Sequence, residues 1–358
     1  MNEFFDFPPF AWDHAEKQQM LGGRIAQLTQ QHYQNCEAYR GMLDAIGFDP
    51  AASHQLEDYP FLPVSLFKTL ELRSISDEEL FKTMTSSGTT GQAVYRIFLD
   101  KQTANLQQKT LAHIVSELIG KKRLPMIVID CPSVVKDRKL FSARGAGILG
   151  FSLFGSDRVF SLDDDMNLDI PALEAFLEKH AGKDILLFGF TFMIWQHFYK
   201  ALAKSDYRPD LSRGVLIHGG GWKKLVSESV SSAEFRARLK EVCGIEHVHD
   251  YYGMVEQTGC IYLECEEGHL HASNFSEVIM RNPKDFTVCP VGQRGVIEVI
   301  SALPESYPGH VLLTEDEGTI FGVDDCPCGR KGTHFVVHGR LKNAEIRGCS
   351  DTYAYNDR

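Results

Sequence analysis

No uninterrupted apolar run in this 358-residue chain approaches the roughly 20 residues that a membrane-crossing helix requires. No early segment joins a basic stretch, an apolar stretch and a small-residue cleavage site, so the protein is expected in the cytoplasm. Positive charge is in deficit: 37 Lys and Arg stand against 48 Asp and Glu, a formal net charge of -11. That balance argues against nucleic acid or an anionic membrane as a general partner. A disulfide framework is disfavoured, because the nine cysteines are odd in number and no export signal accompanies them. Free thiols, metal ligands or a nucleophile fit better. Internal repeats and low-complexity linkers are missing. What is present is 43% hydrophobic residues with 23 Phe, enough to bury the core of a large α/β body or of two domains.

Apolar positions at helix-like spacing between Trp12 and Gly47 (Met20, Ile25, Leu28, then Met42, Leu43, Ile46) predict two helices. Two prolines between Asp58 and Pro63 break the pattern, and Val64 to Leu80 reads as short helices. Lys101 to Ile119 predicts a long amphipathic helix. Buried-strand runs follow at Leu124 to Asp130, Ile185 to Phe188 and Gly214 to His218, with helical stretches at Ile170 to His180, Phe192 to Lys204 and Ser227 to Val242. That alternation predicts an α/β fold with a largely parallel sheet. After Asp250, short glycine-punctuated strands (Val278 to Met280, Gly295 to Ile300, His310 to Thr314, His334 to Val337) predict a β-rich subdomain. The expected division is a helical segment over 1–80, an α/β nucleotide- and acyl-binding body over 81–250, a β-rich subdomain over 251–340 and a short tail over 341–358.

Thr85 to Gly91 packs five hydroxyls and two glycines into seven residues. Glycine admits the positive φ values that aim successive amides at one point, so the segment suits a phosphate cradle; a polar hairpin turn has the same composition. Gln92 follows where a P-loop needs Lys, which disfavours that NTPase class. Gly219, Gly220 and Gly221 come directly after a predicted buried strand, where open α/β sheets take flat ligands, although a tight turn explains them equally. In Tyr251 to Glu256 an aromatic can stack on a base and a carboxylate can hold Mg²⁺; a strand end with a surface Glu is the plainer alternative. Leu312 to Asp316 and Gly339 to Lys342 offer an acid for ribose hydroxyls and cations for phosphates, or salt-bridged surface turns.

Taken in order, these segments (SSGTTG, GGG, YGxxE, TxD, GRxK) resemble the adenylate-forming enzymes near the phenylacetate-CoA ligase branch. The nearest likeness is to the LuxE-type acyl-protein synthetases, which ligate long-chain fatty acids to protein. Phe61 to Lys68 and the opening helices agree with that subfamily, and the likeness covers nearly the whole chain. The resemblance implies an adenylate-forming large domain with parallel sheets, using ATP and Mg²⁺. It assigns Ser86, Ser87, Gly88, Thr89, Thr90 and Gly91 to the ATP phosphates, and Gly219 to Gly221 with Tyr252 and Gly253 to adenine. Glu256 goes to Mg²⁺, Asp316 to ribose, and Arg340 with Lys342 to ribose or phosphate at the hinge. Enzymes of this superfamily continue past that hinge into a domain carrying a catalytic lysine, whereas 18 residues follow Arg340 here. The expectation is a fold lacking the full C-terminal domain. Cys349 then matches the self-acylated cysteine of the acyl-protein synthetases, as against an ordinary tail thiol: its thiolate can attack acyl-AMP and carry the acyl group on. The expected acceptor is a partner protein such as an acyl-CoA reductase-like subunit. Alternatives are delivery to CoA or a carrier protein, and a weakly active nucleotide-binding scaffold.

Cys265 and His271, with Cys326 and Cys328, supply four ligands in two close pairs that suit a closed tetrahedral Zn²⁺ site, as related phenylacetate-ligase-like proteins carry. Cys260 and His269 compete for it, and free buried thiols are the alternative. Leu186 to Trp195 can line a lipophilic tunnel or simply be core. His218, His247, His249 and His338 can act in catalysis or be structural.

Overall fold

The computed structural model describes residues 1–85, 95–136 and 143–341. Their contacts divide the chain into two units, Met1–Glu117 with the described residues from Tyr252 onward, and Leu118–Tyr251. Residues 81–85 and 95–117 therefore group with the first unit.

The two expected N-terminal helices are α1 (His14–Asn35) and α2 (Glu37–Ile46). Asp13 accepts from the Glu16 amide and Glu16 accepts from the Asp13 amide. This capping box satisfies donors that the first turn of α1 would otherwise leave bare. Gly47 stops α2 at φ 66, the left-handed conformation that glycine adopts without steric cost. Strand β1 (Leu62–Pro63) follows, then β2 (Lys82–Thr85) and β3 (Arg96–Leu99), antiparallel from Lys82↔Leu99 to Thr85↔Arg96. The glycine-threonine segment, expected as a phosphate cradle or a polar hairpin turn, lies from Ser86 onward outside the described residues; β2 and β3 on either side of it are paired. In the stretch expected as short helices, Leu66–Thr69 is helical. Helix α3 (Lys101–Ile119) has the expected bounds.

The second unit alternates strand and helix through β4 (Leu124–Ile129), α4 (Ala143–Phe151), β5 (Gly155–Phe160), α5 (Ile170–Lys179), β6 (Ile185–Phe190), β7 (Gly214–Gly219), α6 (Ser232–Cys243) and β8 (His247–Tyr252). The strands pair in parallel in the order β5-β4-β6-β7-β8. Every residue of β6 is buried, as expected for a central parallel strand covered on both faces. Leu187, Leu216 and Val248 from three strands pack with Leu173 of α5 and Phe235 and Leu239 of α6. Strands β5 and β8 have no clear sequence signal. β5 is a polar edge strand, and β8 interrupts its apolar residues with His247, His249 and Asp250.

Back in the first unit come β9 (Tyr262–Glu264), β10 (Leu270–His271), β11 (Ser276–Arg281), β12 (Arg294–Ser301), β13 (Val311–Val323) and β14 (Thr333–Arg340). They form an antiparallel sheet in the order β11-β12-β13-β14-β10-β9, with β1 parallel to β13. Its core joins Tyr39 and Leu43 of α2 to Tyr262, Val278, Ile297, Leu312 and Phe335 of the sheet. The β-rich texture expected after Asp250 is this sheet. Among the described residues no helix is long and apolar enough to cross a membrane.

Candidate active site and a cysteine–histidine cluster

In the first unit, β13 and β14 set Asp316 directly opposite Arg340 in register, and the guanidinium Nε stands 3.8 Å from Asp316 Oδ1. Tyr252 donates its hydroxyl to the other carboxylate oxygen, Asp316 Oδ2, at 2.7 Å. Burial, and then the Asp316 charge, push this phenol well above its ordinary range, so Tyr252 stays protonated and keeps donating. Thr314 completes the frame: its hydroxyl accepts from the Asp316 amide at 3.1 Å and donates to the Ile297 carbonyl at 2.8 Å. Gly339, at φ 118, lets β14 turn just before Arg340.

Glu256 lies in the same unit and is 5% exposed. Burial raises its carboxyl to about 7; Arg340 opposes the shift, while Glu315 and Asp316 add to it. A carboxyl of this kind trades its proton for a cation readily, which is what a Mg²⁺ ligand needs. Tyr307 fixes the local backbone by donating to the Glu256 carbonyl at 2.8 Å. Gly253 is exposed at the start of this turn.

In the second unit, the three glycines close the carboxyl end of β7. A Cβ on Gly219 would come within 2.6 Å of the Tyr251 ring, and Gly220 holds φ 75 with Phe190 3.2 Å from its would-be Cβ. Gly221 meets nothing within 4 Å. Two of the three glycines are therefore demanded by close aromatic packing or backbone conformation. Thr191 ties the turn down, with its hydroxyl 3.0 Å from His218 Nδ1 and donating to the Gly219 carbonyl at 3.3 Å. Burial depresses His218 to about 3, with His249 and Arg236 lowering it further, so the imidazole is neutral and supports the turn. His247 is exposed at the start of β8, and His338 sits 2.9 Å from the Thr319 hydroxyl. In the lipophilic stretch, Leu187, Phe188, Ile194 and Trp195 are all buried, and Phe188 stacks on Phe151 with ring centroids 4.2 Å apart.

Ser86, Ser87, Gly88, Thr89, Thr90, Gly91, Lys342 and Cys349 lie outside the described residues. Tyr251, Thr191, Thr314 and Tyr307 escaped sequence reasoning. Tyr251 adjoins Tyr252, and Thr314 stands in the same T-x-D segment as Asp316, but nothing in one dimension shows which aromatic or hydroxyl faces inward.

The four cysteine and histidine residues expected to bind metal are brought together: the ligand atoms of Cys265, His271, Cys326 and Cys328 all lie within 4.8 Å of one another. Cys265 and Cys326 approach to 3.9 Å between sulfurs, and Cys328 Sγ to 3.5 Å from His271 Nε2. Each pair is presented by a tight turn, Gly268 donating to the Cys265 carbonyl and Gly329 to the Cys326 carbonyl, both glycines at positive φ. Three thiols and one imidazole, mostly buried, match the closed donor set of structural Zn²⁺. Cys260 does not compete: it is buried elsewhere, its thiol directed at the Phe275 carbonyl at 3.4 Å. His269 is close enough to join a second, overlapping group.

Comparison with known proteins places these features in context. The family model described as acyl-protein synthetase, LuxE, matches residues 2–356. The long-chain-fatty-acid–luciferin-component ligase of Vibrio harveyi is 24% identical over 362 residues, covering 96% of this chain and 89% of that protein. Its counterpart from Aliivibrio fischeri is 22% identical over 370 residues, covering 96% and 90%. Among solved structures, an open conformation of 2-hydroxyisobutyryl-CoA ligase in complex with 2-HIB-AMP and CoA superimposes with a TM-score of 0.70 at 16% identity, covering 95% of this chain and 79% of that one. The fold is thus that of the adenylate-forming ligases. With the family match running almost from end to end, the chain belongs to the LuxE family of acyl-protein synthetases.

Proposed function

We propose that this chain is an ATP-dependent ligase that activates a fatty acid as acyl-AMP, takes the acyl group onto Cys349 and passes it to a partner protein. The observation that carries this reading is the frame of Tyr252, Asp316 and Arg340 beside buried Glu256, in a chain of this family and fold. In the first step a carboxylate oxygen of the acid attacks the α-phosphorus of ATP. The bond from that phosphorus to the α–β bridging oxygen breaks, and pyrophosphate leaves. Asp316, held by Tyr252 and Thr314, accepts from the ribose hydroxyls and fixes the nucleotide's register. The glycine turn after β7 admits the flat adenine. Arg340 and Lys342 contact ribose or phosphate, and Ser86 to Gly91 grip the β- and γ-phosphates. Glu256 would hold Mg²⁺, which would supply charge neutralisation on the phosphates. Little covalent chemistry is asked of these groups; positioning and electrostatics lower the barrier.

In the second step the Cys349 thiolate attacks the acyl carbon, AMP leaves, and a thioester remains. An acceptor thiol, such as that of an acyl-CoA reductase-like subunit, then displaces Cys349. Cys265, His271, Cys326 and Cys328 would hold a structural Zn²⁺, which would clamp the turns after β9 and before β14 together.

ATP–pyrophosphate exchange across a panel of carboxylic acids, with labelled acid followed onto the protein, tests the scheme. Exchange with fatty acids and covalent self-acylation is the expected result. Release of a CoA thioester without protein labelling would replace it with a CoA ligase, and no exchange with any acid would leave a nucleotide-binding scaffold.

A further inference from the structure

The cysteine–histidine cluster contains more donors than one tetrahedral ion can use. Beside the set of Cys265, His271, Cys326 and Cys328, a second group of His269, Cys326 and His334 also has all its ligand atoms within 4.8 Å of one another. Cys326 is common to both. Its sulfur stands 3.9 Å from Cys265 Sγ and 3.5 Å from His269 Nδ1. A thiolate carries several lone pairs and can serve two cations at once, so the shared position is chemically competent.

His334 is prepared for this role in a way that packing alone does not require. It is 5% exposed, its Nε2 lies 2.9 Å from Asp325 Oδ1, and its Nδ1 is buried with no hydrogen-bond partner. A carboxylate on one ring nitrogen fixes the tautomer that leaves the other nitrogen's lone pair free, the usual outer support of a metal-bound histidine. Asp325 is itself held in place: it packs so closely over Gly322 that a Cβ there would come within 2.1 Å of the same carboxylate oxygen. The His269 ring converges on His334, with centroids 4.8 Å apart, and His269 is half-buried, which leaves that side open to solvent. Three thiolates and the Asp325 carboxylate together carry the charge that two divalent cations neutralise.

We propose that the cluster binds two cations, the Cys326 thiolate bridging the closed tetrahedral ion and a second zinc-class divalent ion held by His269 and His334, with one coordination position left to water. The inference rests on the structural zinc reading for the first ion. The second ion has fewer protein ligands and a shared thiolate, so it binds more weakly and exchanges first.

Stepwise Co²⁺ titration of the metal-stripped full chain under reducing conditions tests this, with bound zinc counted by elemental analysis in parallel. Wild type is expected to take two equivalents, the first bringing thiolate-to-cobalt charge transfer and the second further d–d absorption. His269→Ala and His334→Ala are expected to take one and keep the charge-transfer band. Asp325→Asn alters a side chain 68% exposed and should fold, and it is expected to weaken only the second equivalent, by on the order of 10- to 100-fold. Saturation of wild type at one equivalent overturns the second ion and leaves the first standing. Two equivalents in both histidine variants overturn the assignment of its ligands, and no binding at all overturns both ions.

Discussion

The Tyr252 hydroxyl donates to Asp316 Oδ2 across 2.7 Å, reaching within the first unit to the middle of β13, 64 positions later in the chain. This contact makes one unit of two segments that look independent in sequence. Hydrogen bonds to charged groups contribute about 1.5–3 kcal/mol. Tyr252→Phe is therefore expected to raise the KM for ATP roughly tenfold or more, with a smaller effect on acid binding. Initial rates of ATP–pyrophosphate exchange at varied ATP check it, and an unchanged KM would show that Asp316 needs no such support.

Glu256 sets a pH dependence whose sign follows from its raised carboxyl. Folded, the group titrates near 7; unfolded, near 4.5. In the cation-free protein its contribution to stability is fully present below about pH 4.5 and is lost as pH rises through about 7. Mg²⁺ competes with that proton, so the Mg²⁺ needed for half-maximal exchange should rise about tenfold per unit below pH 7 and level off above it. Glu256→Gln should flatten both profiles and depress exchange. A Mg²⁺ requirement independent of pH between 5 and 7 would remove the ligand role.

Gly219 is the tightest position of the glycine turn, since an added methyl would meet the Tyr251 ring at 2.6 Å. Gly219→Ala is expected to cost about 1–3 kcal/mol of stability by overpacking and to abolish most adenylation. Gly221→Ala, with open space around it, should leave stability unchanged. Thermal melts and exchange assays on the pair decide whether the turn discriminates between the two glycines in this way.

Cys328→Ser removes one sulfur from the cysteine–histidine cluster proposed to hold zinc. The melting temperature is expected to fall by roughly 5–10 °C, and a strong chelator should lower wild type by a similar amount. Chelator added to the variant should then do little. Equal chelator sensitivity of variant and wild type would place the metal elsewhere.

Cys349→Ser separates the two half-reactions. Acyl-AMP formation and pyrophosphate exchange should persist, while covalent capture of labelled acid falls to background. Labelling that survives the substitution would assign the carrier thiol to another cysteine.

Much of this protein is set by local sequence. A buried apolar run such as Ile185 to Phe188 suits a central parallel strand, because such strands are covered on both faces, and the ordered glycine, tyrosine and acidic segments resemble those of an adenylate-forming fold. The pairs Cys265 with His271 and Cys326 with Cys328 are legible for the same reason: clustered Cys and His donors come in short spacings that turns impose. Tertiary structure alone decided what those residues face. Edge strand β5 and histidine-rich β8 carry no periodic signal, because their character comes from the strand they pair with. That Gly219 is shaped by Tyr251, that Tyr252 rather than its neighbour holds Asp316, and that Cys326 rather than Cys260 stands among the clustered histidines all depend on which side chain points inward. Strand register fixes this across long sequence separations, and no single stretch of the chain encodes it.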